Sequence, residues 1–153
     1  MLKIKKMVDQ NMVQKNLVNE IYKKNLFISK GFKEIVELSF KKACHLIKKK
    51  TKQNPILQIK QGINTIKPYC ETKSVKMKNN ITRIPVEITK KKQQLLATSF
   101  FLKATKEKNL FFLHNKLSNE ILSISTLSSS SLRICENFQK NVEINKIFIQ
   151  YRF

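Results

Sequence analysis

Lysine is the residue in this chain best supplied to do chemistry, and it comes in clusters. Lys3, Lys5 and Lys6 open the chain, Lys73, Lys76 and Lys78 lie near Arg83 in its middle, Lys90, Lys91 and Lys92 follow, and Lys106, Lys108 and Lys116 come later. An ammonium on a flexible stem is a mobile point charge suited to phosphate oxygens. Only Arg83, Arg133 and Arg152 are Arg, against 28 Lys. Such a ratio suits neutralising a long phosphate backbone better than bidentate reading of bases. A single lysine run in an ordinary protein is usually solvated surface. Here Lys plus Arg total 31 against 10 acids, a formal +21, and that excess favours a polyanionic partner. RNA, DNA and an anionic membrane surface are the candidates.

The other reactive side chains do not assemble into a site. Cys44 and His45 pair a nucleophile with a base, but helical neighbours point about 100° apart. Without a carboxylate or amide to orient them, they read as a buried thiol beside a partly exposed imidazole. His114 has no Cys or second His at ligand spacing, which argues against a metal. Cys44, Cys70 and Cys135 are odd in number, far apart and without a C-x-x-C pair, so a reducing compartment is the simpler reading. Asp9 is the only Asp, and no acidic pair is suited to Mg²⁺, which disfavours a metal-dependent nuclease. Gly31 and Gly62 stand alone, so there is no phosphate-cradling loop. The expectation is a protein that is not an enzyme, with no catalytic residue, metal or cofactor. No apolar run approaches the roughly 18 residues of a membrane span; Leu95 to Leu102 is broken by Thr98 and Ser99. The opening MLKIKKMVDQ fits neither a secretory signal nor an Arg-rich transit peptide, so a protein working in an organelle would be made there.

These clusters need a frame. A length of 153 residues suits one domain, 1–153, with a basic tail over 1–11 and a hairpin arm over 70–89. Val13, Leu17 and Ile21 predict a first helix from Met12 to about Lys24. Phe32, Ile35, Val36, Phe40, Ala43 and Ile47 predict a second, ending in Lys48, Lys49 and Lys50, which suit the negative end of the helix dipole. Asn54 and Pro55 form a helix start, Ile56, Ile59, Ile63 and Ile66 its inner face, and Pro68 its stop. Ile84, Val86 and Ile88 alternate as a strand. With Cys70 to Met77 they predict a two-stranded ribbon turning near Asn79 and Asn80. Pro85 fits only a ribbon with a free edge, and such a ribbon must lean on a partner. A fourth helix follows Lys92 (Leu96, Phe100, Ala104), and a fifth runs from Leu110 with Leu113, Leu117, Ile121 and Ile124 inward. Ser128 to Ser131 reads as a polar loop. A last helix places Leu132, Cys135, Phe138, Val142 and Ile149 inward and ends at Tyr151-Arg152-Phe153. The whole is a mostly α domain of about six helices with a protruding two-stranded hairpin. The ten Phe are core by default. Phe153 reads as packing, while Tyr151 suits either packing or stacking on a nucleotide.

From the third helix onward the residues resemble the small-subunit ribosomal protein seven family of bacterial and organellar type. Asn54-Pro55 begins a helix ending at Lys67-Pro68; a hairpin carries Pro85-Val86-Glu87; a basic helix start leads into Leu96-Ala97. Lys116-Leu117-Ser118-Asn119-Glu120-Ile121-Leu122 is similar to the family's Arg-Leu-Ala-Asn-Glu-Leu-Leu. Glu143-Ile144-Asn145-Lys146-Ile147-Phe148-Ile149-Gln150-Tyr151-Arg152-Phe153 is similar to its terminal Glu-Ala-Asn-Lys-Ala-Phe-Ala-His-Tyr-Arg-Trp. Leu17-Val18-Asn19 fits the first helix more weakly. The first strand is thinned to Lys73-Ser74-Val75-Lys76, Asn79-Asn80 replaces a Gly-Gly turn, and Ser99 and Phe100 replace Arg and Trp. Asn tolerates the left-handed backbone such a turn needs.

The resemblance implies a structural constituent of the small ribosomal subunit. It would bind the 3′ head domain of small-subunit rRNA, nucleate head assembly, and place Asn79, Asn80, Tyr151 and Arg152 near the exit-site tRNA and the mRNA. The lysine clusters above, with Arg83, would be its rRNA contacts, and neighbouring small-subunit proteins its other partners, with no membrane. Abundant Lys, Asn, Ile and Phe with two Gly suit an AT-rich gene, which points to a mitochondrion, with a plastid as alternative. The rival readings are a general organellar RNA-binding or maturation factor, which the charge alone permits, and a basic membrane-surface protein, which the Pro-bounded helices and hairpin disfavour.

Overall fold

A computed structural model describes residues 33–77 and 80–151. The helix expected over Met12 to Lys24 and the basic tail lie outside these. Five α-helices and one antiparallel hairpin follow in the order α1 (Lys33–Thr51), α2 (Pro55–Thr65), β1 (Cys70–Met77), β2 (Asn80–Glu87), α3 (Lys90–Glu107), α4 (Leu113–Ser125) and α5 (Ser130–Ile144), closed by a 3-10 segment over Asn145–Tyr151. The fold is mostly α with a two-stranded hairpin, as the sequence implies.

Each helix buries the stripe that its spacing dictates. In α1 these are Val36, Phe40, Ala43 and Ile47. Ile35, expected inward, is 59% exposed, because one residue of helix rotates it about 100° from Val36. Helix α2 starts where its signals place it: the Asn54 side chain accepts the Ile56 N–H at 3.1 Å, and Pro55 occupies the first turn. Gly62 of α2 faces Ile124 of α4, whose Cγ2 would stand 3.4 Å from a Cβ placed there, at van der Waals contact. Phe40, Ile59, Phe100, Phe101, Leu117, Ile121 and Cys135 join one core drawn from all five helices. The Cys135 thiol donates to the Ile66 carbonyl at 3.1 Å, tying α5 to the end of α2.

Three boundaries differ from expectation. Helix α4 starts at Leu113, and Leu110, Phe111 and Phe112 form an exposed connection. Ser128 to Ser131 is not a loop throughout: Ser129 caps α5 by accepting the Leu132 N–H at 3.2 Å, and the helix begins at Ser130. Its preceding turn uses Leu127 at φ 57, with Leu127 N–H bonded to Ile124 O (3.0 Å) and Ser128 N–H to Ser123 O (3.0 Å). This is the double bond of a Schellman cap with Leu where Gly is usual. The last helix changes to 3-10 at Asn145, and Ile149, expected inward, is 43% exposed. The tighter winding eclipses residues three apart and breaks the 3.6-residue stripe.

The hairpin pairs Cys70 with Glu87 through Met77 with Asn80. Asn80 is thus the first residue of β2, paired, and not a turn residue, because the ladder closes one step further than the side-chain pattern suggests. The partner of the ribbon is internal: β1 lies against α5, and β2 against the 3-10 segment.

Candidate nucleic-acid interface

The hairpin divides into an anchored and a free half. Glu71, Ile84 and Pro85 are buried, whereas Lys73, Ser74, Val75, Lys76, Ile81 and Arg83 are exposed. At the root, Ile88 N–H donates to Tyr69 O at 3.1 Å, and Glu71 forms an ion pair with Lys92 in the first turn of α3. Alternation places Lys76 and Arg83 on one face of the free half and Lys73, opposite Ile84, on the other. The ribbon therefore carries positive charge on both faces.

The remaining candidates disperse over the body. Lys90 and Lys91 are exposed beside Lys92 at the start of α3, where no acid occupies the first turn and Thr89 makes no side-chain cap. Cations at that end oppose the helix dipole, and an external anion would relieve the conflict. Lys106 is exposed at the far end of α3, and Lys116 is half-buried on α4. Lys3, Lys5, Lys6, Lys78, Asn79 and Arg152 lie outside the described residues, as do the side chains of Asn80 and Tyr151.

Lys108 faces inward. Its ammonium meets Glu120 Oε2 at 2.7 Å, and the Glu120 side chain is fully buried. Ser131 completes the cluster, donating its N–H (3.0 Å) and its hydroxyl (2.6 Å) to Glu120 Oε1. Burial alone would raise the Glu120 pKa, but Lys108 and the two Ser131 donors outweigh it and hold the carboxyl below its ordinary value. The cluster joins the end of α3, the middle of α4 and the start of α5. A Glu within the Leu117–Ile121 stripe was the signal available for it.

Cys44 is half-buried, its thiol pushed up to about 11 by burial, and His45 beside it is exposed. Among the described residues no three His, Cys, Asp or Glu side chains are grouped to hold a metal, and no helix is long and apolar enough to cross a membrane. Sequence reasoning also passed over the ground between α1 and α4, where Lys41, Lys42, His45 and His114 border one cavity and Phe112 stacks on His114.

A helical body with a basic two-faced ribbon suits a polyanionic partner, and comparison with known proteins gives the family. The family model for ribosomal protein S7p/S5e matches residues 2–146. The small ribosomal subunit protein uS7 of Syntrophus aciditrophicus is 28% identical over 139 residues, covering 91% of this chain and 88% of that protein. That of Pelagibacter ubique is 30% identical over 129 residues, covering 84% and 83%. The chain is a structural protein of the small ribosomal subunit. It belongs to the ribosomal protein S7p/S5e family, and its place is within the ribosome.

Proposed function

We propose that this chain binds the 3′ head domain of small-subunit rRNA, nucleates assembly of the head, and holds its hairpin and C-terminal segment beside the exit-site tRNA and the mRNA. The observation that carries this reading is the half-free hairpin with Lys73 on one face and Lys76 and Arg83 on the other. A ribbon charged on both faces suits insertion between phosphate backbones. The exposed Lys90, Lys91 and Lys106, with Lys116, extend the contact over the body, while Lys108 and Lys92 are first engaged by Glu120 and Glu71. Lys3, Lys5 and Lys6 of the basic tail, together with Lys78, add phosphate contacts in this reading. Asn79, Asn80, Tyr151 and Arg152 belong to the tRNA and mRNA side. The role is architectural, without catalysis or cofactor, and the neighbours are other small-subunit proteins. The mitochondrion is the proposed compartment, supported by the Lys-, Asn-, Ile- and Phe-rich, Gly-poor composition, although the relatives named above are bacterial.

The test is competition binding of the full chain to the 3′ head domain of its cognate rRNA against unrelated structured RNA of equal length, at about 150 mM salt. Strong preference for the head domain is expected. Equal binding to both would overturn head recognition by this chain alone and favour a general RNA-binding role. If about 6–10 lysines meet phosphates, affinity falls roughly 10³–10⁵-fold between 50 and 200 mM salt.

A further inference from the structure

The turn from α4 to α5 carries an apolar side chain on a backbone that disfavours it. Leu127 holds φ 57 and is 73% exposed. A left-handed backbone brings Cβ against a carbonyl oxygen, so this position normally goes to Gly or Asn. The turn is nonetheless firm. Beside the two backbone bonds of the cap, the hydroxyls of Thr126 and Ser128 lie 2.8 Å apart on either side of Leu127, and Ser129 is already the cap of α5. The strained residue therefore holds a Leu outward, where it packs against little of its own chain. Gly would relax the backbone and give up no buried surface. Strain kept at an exposed turn marks a task outside the chain.

Charge says which kind of partner. From Ile121 through Leu132 no residue is charged, the longest uncharged stretch in a chain of formal +21. Ser125, Thr126 and Ser128 are exposed around Leu127. Glu120, the acid just before the stretch, is buried against Lys108 and lends the turn no charge. A surface facing phosphate would hold lysine or arginine, as the hairpin does, and an anionic membrane would ask for the same. A lone exposed Leu is ordinary on a protein surface. An apolar tip on strained backbone, ringed by neutral hydroxyls in an otherwise basic chain, matches the apolar centre and polar rim of a protein–protein contact.

We infer that the α4–α5 turn is a docking point for a neighbouring small-subunit protein. Leu127 enters an apolar pocket of that partner, and Ser125, Thr126 and Ser128 hydrogen-bond around its mouth. The inference rests on the rRNA-bound, assembled role proposed above and names one surface by which this chain meets its protein neighbours.

The test is competition between wild type and Leu127→Gly, both full-length and differently labelled, in two arms at about 150 mM salt. One arm offers the 3′ head domain of the cognate rRNA alone, and the other offers it with the remaining small-subunit proteins. On rRNA alone the two should bind equally. With the proteins present, Leu127→Gly should compete about 5- to 40-fold more weakly, the factor expected from burying most of a Leu side chain. Relief of strain stabilises this variant, so loss of fold does not explain a deficit. Leu127→Met, which keeps an apolar side chain of similar volume, should compete nearly as wild type. Equal competition in both arms would overturn the docking point. So would an equal deficit on rRNA alone, which would make Leu127 an RNA contact. Failure of the wild type to bind rRNA alone would instead overturn the head-binding reading, and the arm with proteins would still decide the docking point.

Discussion

Replacing Glu120 by Gln perturbs the most enclosed charge described in this chain. The side chain is fully buried and accepts three donors: Lys108 Nζ at 2.7 Å, Ser131 N–H at 3.0 Å and Ser131 Oγ at 2.6 Å. Gln has nearly the same volume, so no cavity forms, and the loss is electrostatic. One acceptor oxygen becomes an NH₂ that must face a donor, and the attraction to Lys108 disappears. Removing one partner of a buried pair costs about 3–5 kcal/mol. Lys108 retains 20% exposure and can turn its ammonium toward water, which places the value near the lower end, at about 3 kcal/mol. That corresponds to a fall in Tm of roughly 6–12 °C for a domain of this size. Lys108→Met should cost a similar amount at neutral pH, because it strands the carboxylate. The double variant should cost clearly less than the sum, since a neutral pair strands nothing. The assay is urea unfolding of the four proteins at pH 7, repeated down to pH 3. Because the folded carboxyl pKa lies below its unfolded value of about 4.5, its stabilisation is complete above that value and is lost as pH falls through the folded pKa. Glu120→Gln should lack this component of the acid decline. Additive losses in the double variant, or a loss below about 1 kcal/mol in Glu120→Gln, would refute the reasoning.

Leu127→Gly should stabilise the protein by about 1 kcal/mol in the same assay, because Leu127 holds φ 57 and is 73% exposed. Asn54→Ala should destabilise by about 1 kcal/mol, since the Ile56 N–H loses its acceptor. Lys76→Gln combined with Arg83→Gln should leave stability within about 0.5 kcal/mol, both side chains being exposed. In filter binding to the rRNA head domain, that pair should lower the salt slope by about two. With its thiol pushed up to about 11, Cys44 is only about 0.1% thiolate at pH 8, so its labelling by a disulfide reagent should be slow until the protein is unfolded.

What could be read in the sequence was whatever local chemistry decides. Asn54 and Pro55 open α2 because a side-chain acceptor and a fixed φ act within one turn. The α4 stripe of Leu117, Ile121 and Ile124 is buried because spacing alone selects a face. The hairpin strands were legible for the same reason, but their closure at Asn80 was not, because the ladder depends on pairing across strands. The Ser128 to Ser131 segment looked like a loop because Ser is polar; only the distant Glu120 turns Ser131 into part of a buried helix start. Lysine clusters named the kind of partner, yet Lys108 and Lys106, two residues apart, have opposite fates, since Glu120 captures one and leaves the other exposed. The ground between α1 and α4 escaped notice because its residues lie about 70 positions apart in the chain. Such sites belong to tertiary packing, which periodicity does not encode.

The rooting of the hairpin gives it the mechanics of a cantilever. One half is clamped by the Ile88–Tyr69 bond, the Glu71–Lys92 pair and the burial of Ile84, while the other half extends free. At about 3.3 Å per residue, the span from Ile84 to the last pair at Asn80 is roughly 13 Å. Lys90, which opens α3, follows the end of β2 by only three residues. A load on the outer strands therefore passes through the root to α3, which buries Ala97, Phe100, Phe101, Leu102 and Ala104 in the body. The anchored half thus fixes where the exposed Lys76 and Arg83 are presented.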